Sequence, residues 1–146
     1  MENTPVHLID VMPTIVEAAG ASYPERIGSR EIFRLAGASL ISVLHGARMP
    51  ERTLYFEHEG HRAVRENRYK ATALRGQPWS LYDMEKDRTE RHDIADQNPD
   101  RGRQMADDYA RWAKLVGAQS WPMPETPQRL QEGAMPSPPY LRKDRP

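Results

Sequence analysis

Between Thr53 and Asp83 the sequence is cut into four short runs rich in β-forming residues, and their spacing restricts the fold more than any other feature. Thr53-Leu54-Tyr55-Phe56-Glu57-His58 is the first run; Glu59-Gly60 breaks it, and His61 to Arg65 resumes the pattern. Glu66-Asn67 reads as a tight turn, because Asn tolerates positive φ. Arg68 to Leu74 is then the return strand. Gly76-Gln77-Pro78 turns the chain again, and Trp79 to Asp83 completes a meander of about four antiparallel strands.

A sheet of this kind needs a cover for one face. Residues 99–116 supply one: Met105, Tyr109, Trp112 and Val116 recur at i, i+4, i+7 and i+11, a single helical stripe. Helix on sheet gives an α+β fold of two layers, a four-stranded antiparallel sheet packed on a C-terminal helix. The connection, residues 85–98, is charged or polar except for Ile94 and Ala95, and reads as a solvated loop.

Upstream, the pattern predicts a helix over 10–19. Asp10 is placed to cap it, Pro13 falls in the first turn where its missing N–H costs nothing, and Gly20 ends it. Val11, Met12, Ile15, Val16 and Ala19 form its apolar stripe. Such a stripe must pack on something, and nothing amino-terminal remains for it to meet, so the chain reads as starting partway through an architecture. Residues 21–38, with Pro24, Gly28 and Gly37 as breakers, read as a loop. Ser39 then caps a short helix, Leu40 to His45, closed by Gly46. The expected division is 1–46, 47–120 and a tail, 121–146, that holds seven of the thirteen prolines and is read as extended or disordered.

Composition narrows the function. Twenty-one basic residues balance twenty-one acidic ones, which removes the electrostatic case for a dedicated nucleic-acid binder. Cysteine is absent, so disulfides and thiolate metal sites are excluded. No stretch approaches the roughly 20 apolar residues of a membrane span. Met1 to Pro5 has no basic segment leading into an apolar run, so no secretory signal is expected, and the compartment is left open. With 38% hydrophobic residues and a mean hydropathy of −0.83, the apolar content is low for a self-sufficient core.

Several segments, in order and at familiar spacing, resemble the bacterial arylsulfatases of the type I, formylglycine-dependent sulfatase family. They run from Pro5-Val6-His7-Leu8-Ile9-Asp10-Val11-Met12-Pro13-Thr14 through Ala18-Ala19-Gly20-Ala21-Ser22-Tyr23-Pro24 and Gly37-Ala38-Ser39-Leu40. Leu54-Tyr55-Phe56-Glu57-His58-Glu59-Gly60, Arg62-Ala63-Val64-Arg65, Tyr69-Lys70 and Trp79-Ser80-Leu81-Tyr82-Asp83-Met84 continue the series, which ends near Asp93-Ile94-Ala95 and the helix after it. The resemblance implies a helix left over from the end of a large α/β sulfatase domain, followed by that family's smaller carboxy-terminal domain. It also implies a chemistry in which a formylglycine hydrate attacks sulfur and a divalent cation, usually calcium, polarises the sulfate oxygens. Both are expected only in the complete family enzyme, because the nucleophile and metal motifs lie amino-terminal to the part this chain resembles. No catalytic residue, metal ligand or cofactor is therefore expected in this chain.

Ser22-Tyr23-Pro24-Glu25-Arg26 does spell S-x-P-x-R, the pattern around a formylglycine precursor. The family signature, however, has a small residue where Glu25 stands and continues differently from Ile27-Gly28-Ser29-Arg30. The same residues also match the loop after the late helix, far downstream of the true nucleophile. The cluster Glu57-His58-Glu59-Gly60-His61-Arg62 offers two His and two Glu, yet His58-Glu59-Gly60-His61 lacks H-E-x-x-H spacing, and on a strand His58 and His61 converge only if Gly60 kinks the chain. The family commonly has Asn where His61 stands. Two readings stay open. Either His58, Glu59, His61 and Arg62 form a substrate rim at the active-site mouth of a complete enzyme, Arg62 suiting an anionic oxygen through its planar fork, or the segment is a bulge whose charges pair with each other.

The leading expectation is an arylsulfatase C-terminal fragment, inactive alone, from a truncated or divided gene or completed by a separate amino-terminal half that would be its partner. An aryl sulfate ester is the substrate expected for that complete enzyme. The alternatives are a working arylsulfatase, against which the missing nucleophile stands, and a stand-alone α+β binding module for anionic ligands.

Overall fold

The computed structural model describes residues 5–119. The proline-rich segment expected to be extended lies outside them. The chain divides into two compact units, 1–54 and 55–146.

The second unit carries the meander. Strands β3 (Thr53–His58), β4 (His61–Glu66), β5 (Tyr69–Ala73) and β6 (Ser80–Asp83) form one sheet in the order β3-β4-β5-β6. β4 and β5 pair antiparallel with Val64 opposite Ala71, and β5 and β6 with Ala71 opposite Leu81. Those three residues share a face because side chains alternate along a strand, and all three are fully buried. Helix α3 (Pro99–Val116) closes that face with Met105 and Tyr109, and Tyr55, Tyr69, Trp79, Ile94, Ala95 and Trp112 surround the cluster. The helix begins with Pro99 at its first position, where no N–H is needed, and ends on Gly117 in the left-handed region, φ 70°. The expected α+β arrangement of sheet and C-terminal helix is what the chain adopts, except that Val116 is left exposed rather than reaching the core.

The connection at 85–98 is more ordered than its polarity suggests. Asp87 accepts from the backbone N–H groups of Arg91 and His92 (2.7 and 2.8 Å). Asp93 accepts from Leu81 and Ala95 (both 2.9 Å), while Ile94 donates to the Leu81 carbonyl at 2.8 Å. The loop therefore satisfies the outer edge of β6, which would otherwise leave ladder groups unpaired. Ile94 and Ala95 pack against the core cluster.

The first unit is organised around a carboxylate. A 3-10 turn (Leu8–Asp10) leads into α1 (Val11–Ala18), a two-stranded hairpin follows with β1 (Arg26–Ile27) paired to β2 (Arg30–Glu31), and α2 (Ile41–Leu44) comes next. The hairpin lies in the stretch read from sequence as loop; its two-residue strands are too short to show alternation. Asp10 was expected to cap the first helix through its side chain, but it makes no such cap. Its carboxylate instead accepts from the backbone of His7 (2.8 Å) and Ala38 (3.0 Å) and from both terminal nitrogens of Arg52, with Arg52 Nη1 at 2.6 Å from Oδ1. Thr14 Oγ1 adds a further tie, accepting from the Leu40 N–H at 3.0 Å. Ser39 Oγ accepts from the Ile41 N–H at 3.2 Å, but the N-cap of α2 is Leu40 rather than the Ser39 expected from the sequence. Gly37 is required here: a Cβ would lie 2.1 Å from the Ile9 carbonyl oxygen.

Candidate functional site

The segment Glu57 to Arg62 folds as the tip of the β3–β4 hairpin. Glu59 and Gly60 both take positive φ, 51° and 84°, the combination a two-residue type I′ turn needs. Glu57 Oε1 accepts from the Gly60 N–H at 3.0 Å and locks the turn from the strand side. Only two residues, Glu59 and Gly60, join His58 to His61.

This geometry sorts the four candidate residues. A two-residue turn makes His58 and His61 the cross-strand pair that flanks it, so both side chains lie on one face. That is the convergence which the three-residue spacing alone did not guarantee, produced by the turn at Glu59-Gly60 rather than by a kink within a strand. His58 and His61 are both exposed, and His61 Nδ1 accepts from the Arg75 N–H at 3.4 Å. Glu59 is exposed in the turn itself. Arg62, next in sequence to His61, falls on the opposite, helix-covered face. Its guanidinium carbon sits 5.0 Å from the centre of the Trp79 ring, a cation–π arrangement, and its Nε is buried without a hydrogen-bond partner. The hairpin tip thus presents an imidazole pair and a carboxylate outward and holds its arginine against the aromatic cluster.

That cluster continues along the helix. Tyr55 stacks on Trp112 at 5.1 Å with planes 8° apart, and Tyr109 meets Trp79 edge-on at 5.5 Å. Burial, with Glu57 nearby, pushes the Tyr109 hydroxyl above its ordinary range, so it is a neutral phenol at any physiological pH. Trp79, Tyr109 and Trp112 serve packing. Sequence reasoning did not single out the pairing of Arg62 with Trp79; the two are seventeen positions apart, and only the register of three strands brings them together.

The S-x-P-x-R segment has no site around it. Ser22 is exposed in an irregular stretch, and Arg26 is committed to the β1–β2 hairpin, where it bonds Glu31 (3.2 Å) and the Ser29 carbonyl (2.9 Å). For a divalent cation the donor set does not fit: among the described residues, no three His, Asp or Glu side chains converge as a metal cage requires. His58 and His61 make two ligands without a third. Among the described residues, no helix is long and apolar enough to cross a membrane.

No family model matches the chain. Its likeness is to solved structures. The crystal structure of Ps i-CgsB matches with a TM-score of 0.60 at 26% identity, over 75% of this chain and 24% of that one. The structure of Ps i-CgsB in complex with k-i-k-neocarrahexaose matches with a TM-score of 0.64 at 25% identity, over 87% and 28%. BT4656, solved in complex with its substrate D-glucosamine-2-N,6-O-disulfate, matches with a TM-score of 0.51 at 20% identity, over 72% and 23%, a likeness of fold alone. The chain spans about a quarter of the length of the solved structures it matches. These neighbours are sulfatases, and the likeness supports a carboxy-terminal domain of the sulfatase family.

Proposed function

We propose that this chain is the carboxy-terminal portion of an arylsulfatase-type, formylglycine-dependent sulfatase, inactive by itself and completed by a polypeptide carrying the nucleophile and the metal ligands. The observation that carries the reading is the asymmetry of the structural match. Three quarters or more of this chain corresponds to about a quarter of Ps i-CgsB, at 25–26% identity. The ordered series of arylsulfatase-like segments supports it from the sequence side. In this reading residues 1–46 are the end of the large domain, residues 47–120 the smaller domain, and calcium and formylglycine belong to the completing polypeptide.

Within the assembled enzyme, His58, Glu59 and His61 at the hairpin tip form a rim beside the substrate, and Arg62, expected from the sequence to share it, instead lies on the opposite face against Trp79. The outward imidazole pair supports this, since two exposed His side chains on a rigid type I′ turn can meet an anionic ester at little ordering cost. The expected substrate is an aryl sulfate. A sulfated saccharide is the second class to assay, because the neighbour at 25% identity was solved with a neocarrahexaose.

The test is co-purification of the affinity-tagged chain from its native source. A partner bearing a C/S-x-P-x-R segment and Asp/Asn metal ligands is the expected outcome. A chain that returns alone, or only with proteins lacking that segment, contradicts the reading and favours a free-standing module.

A further inference from the structure

Taking a guanidinium out of water is costly unless oxygens meet its N–H groups, and the half-buried arginines of the second unit follow that rule with one exception. Arg68 is bound to Asp83, Arg101 to Glu66, and Arg65 donates to the Tyr69 carbonyl at 3.2 Å. Arg62 has no such oxygen among the described residues, and its Nε is buried without a partner. The carboxylate best placed to neutralise it is held elsewhere. The two-residue turn sets Glu57 directly opposite Arg62 on the helix-covered face, yet Glu57 Oε1 accepts from the Gly60 N–H at 3.0 Å and forms no ion pair with Arg62. Aromatic rings hold the guanidinium in place instead. Its central carbon lies 5.0 Å from the centre of the Trp79 ring, and Tyr109 meets the same ring edge-on at 5.5 Å. A ring face attracts the cation without supplying an oxygen for its N–H groups. The Tyr109 hydroxyl lies in the field of both Arg62 and Glu57 and, as a neutral phenol, is one more donor anchored on that ring.

We infer that Arg62, together with the Tyr109 hydroxyl, binds a small tetrahedral oxyanion, either a free sulfate ion or the sulfate group of an ester, on the helix side of the β3–β4 hairpin. This site is separate from the His58 and His61 pair, which occupies the other face, and it stands whether or not the chain completes an enzyme. Because Nε is buried, the anion approaches the guanidinium end-on, where the two terminal nitrogens present parallel N–H groups to two oxygens. The phenol supplies a donor for a third. Three donors match the three terminal oxygens of a sulfate ester better than the two of a carboxylate. Glu57 opposes the bound anion, which keeps the affinity modest and the site reversible.

The test titrates the nitrogen-15-labelled full chain with sodium sulfate, ionic strength being held constant with sodium chloride, and follows the Arg62 Nε–H and Trp79 indole N–H resonances. Both are expected to shift saturably, with a dissociation constant on the order of 1 mM. Glucose 6-sulfate in place of sulfate separates the two sources: tighter binding assigns the site to an ester, weaker binding to the free ion. Arg62→Lys keeps the charge but loses the fork and is expected to weaken binding by about tenfold. Glu57→Gln retains an oxygen for the Gly60 N–H while removing the opposing charge, and is expected to tighten binding by about threefold; it leaves the contact of Arg62 with Trp79 intact, so no loss of packing can mimic the result. Shifts that never saturate, or acetate bound as tightly as sulfate, overturn the inference. So does a Glu57→Gln or Arg62→Lys variant with unchanged affinity.

Discussion

Asp10 shows how one residue can do work that pattern analysis assigns to another role. Its four nitrogen donors, two backbone N–H groups and both terminal nitrogens of Arg52, are what a helix cap would look like if the cap served the whole unit. The Arg52 hydrogen bonds, reinforced by the backbone donors of Ala38 and His7, overcome the cost of burial and lower the carboxyl from 3.8 to about 2. A depressed folded value means stability that is present above the unfolded pKa and lost as pH falls through the folded one. The contribution is about 2 kcal/mol, so the opening free energy at the Ala38 and Leu40 amides, taken from exchange rates corrected for the intrinsic pH dependence of exchange, is expected to fall between about pH 4 and pH 2 and to be flat from pH 5 to 7. Asp10→Asn should cost a similar amount at neutral pH, because Arg52 is left half-buried without its counter-charge; urea unfolding followed at the same amides measures it. At the rim, His58→Ala in the assembled enzyme is expected to lower kcat/KM for an aryl sulfate, and an unchanged value sinks that role. Intact-mass analysis is expected to find no aldehyde at Ser22.

At the scale of elements, the sheet and its covering helix were legible because each announces itself locally. The four runs of β-formers match Thr53–His58, His61–Glu66, Tyr69–Ala73 and Ser80–Asp83 to within a residue or so, and the helix over 99–116 is found at Pro99–Val116. The two features that escaped depend on distant partners. The loop at 85–98 is ordered by Asp93 reaching Leu81, twelve positions away, and composition carries no trace of that. The orientation of α1 is set by Ala38, Leu40 and Arg52, so its apolar periodicity correctly gave a helix but not the direction it faces. For the candidate site, sequence located the hairpin tip and left the geometry open; the positive φ of Glu59 decided which side chains meet. Leu81→Ala, at the fully buried centre of the sheet, is expected to destabilise the second unit by about 2–5 kcal/mol. Two glycines should separate by mechanism in thermal melts. Gly117→Ala places a Cβ in the left-handed region with open space around it and should cost about 1 kcal/mol. Gly37→Ala drives a Cβ into the Ile9 backbone and should cost about 2 kcal/mol or more in the first unit.

The whole molecule combines one unit with a conventional apolar core and one built on a buried ion pair with its hydrophobic stripe outward. The second unit has the layers a small domain needs, while the first has too little buried apolar surface to account for a fold by itself. That contrast supports the proposed function, as does a match spanning about a quarter of the length of the Ps i-CgsB structures. The proposal that the chain completes an enzyme without being one comes down to a single assay. Release of inorganic sulfate from a chromogenic aryl sulfate is measured for the homogeneous chain, for its co-purified polypeptide, and for the two together. The expected result is no release by the chain alone and turnover only when both are present. Turnover by the chain alone, or full activity of the other polypeptide without it, would contradict the account.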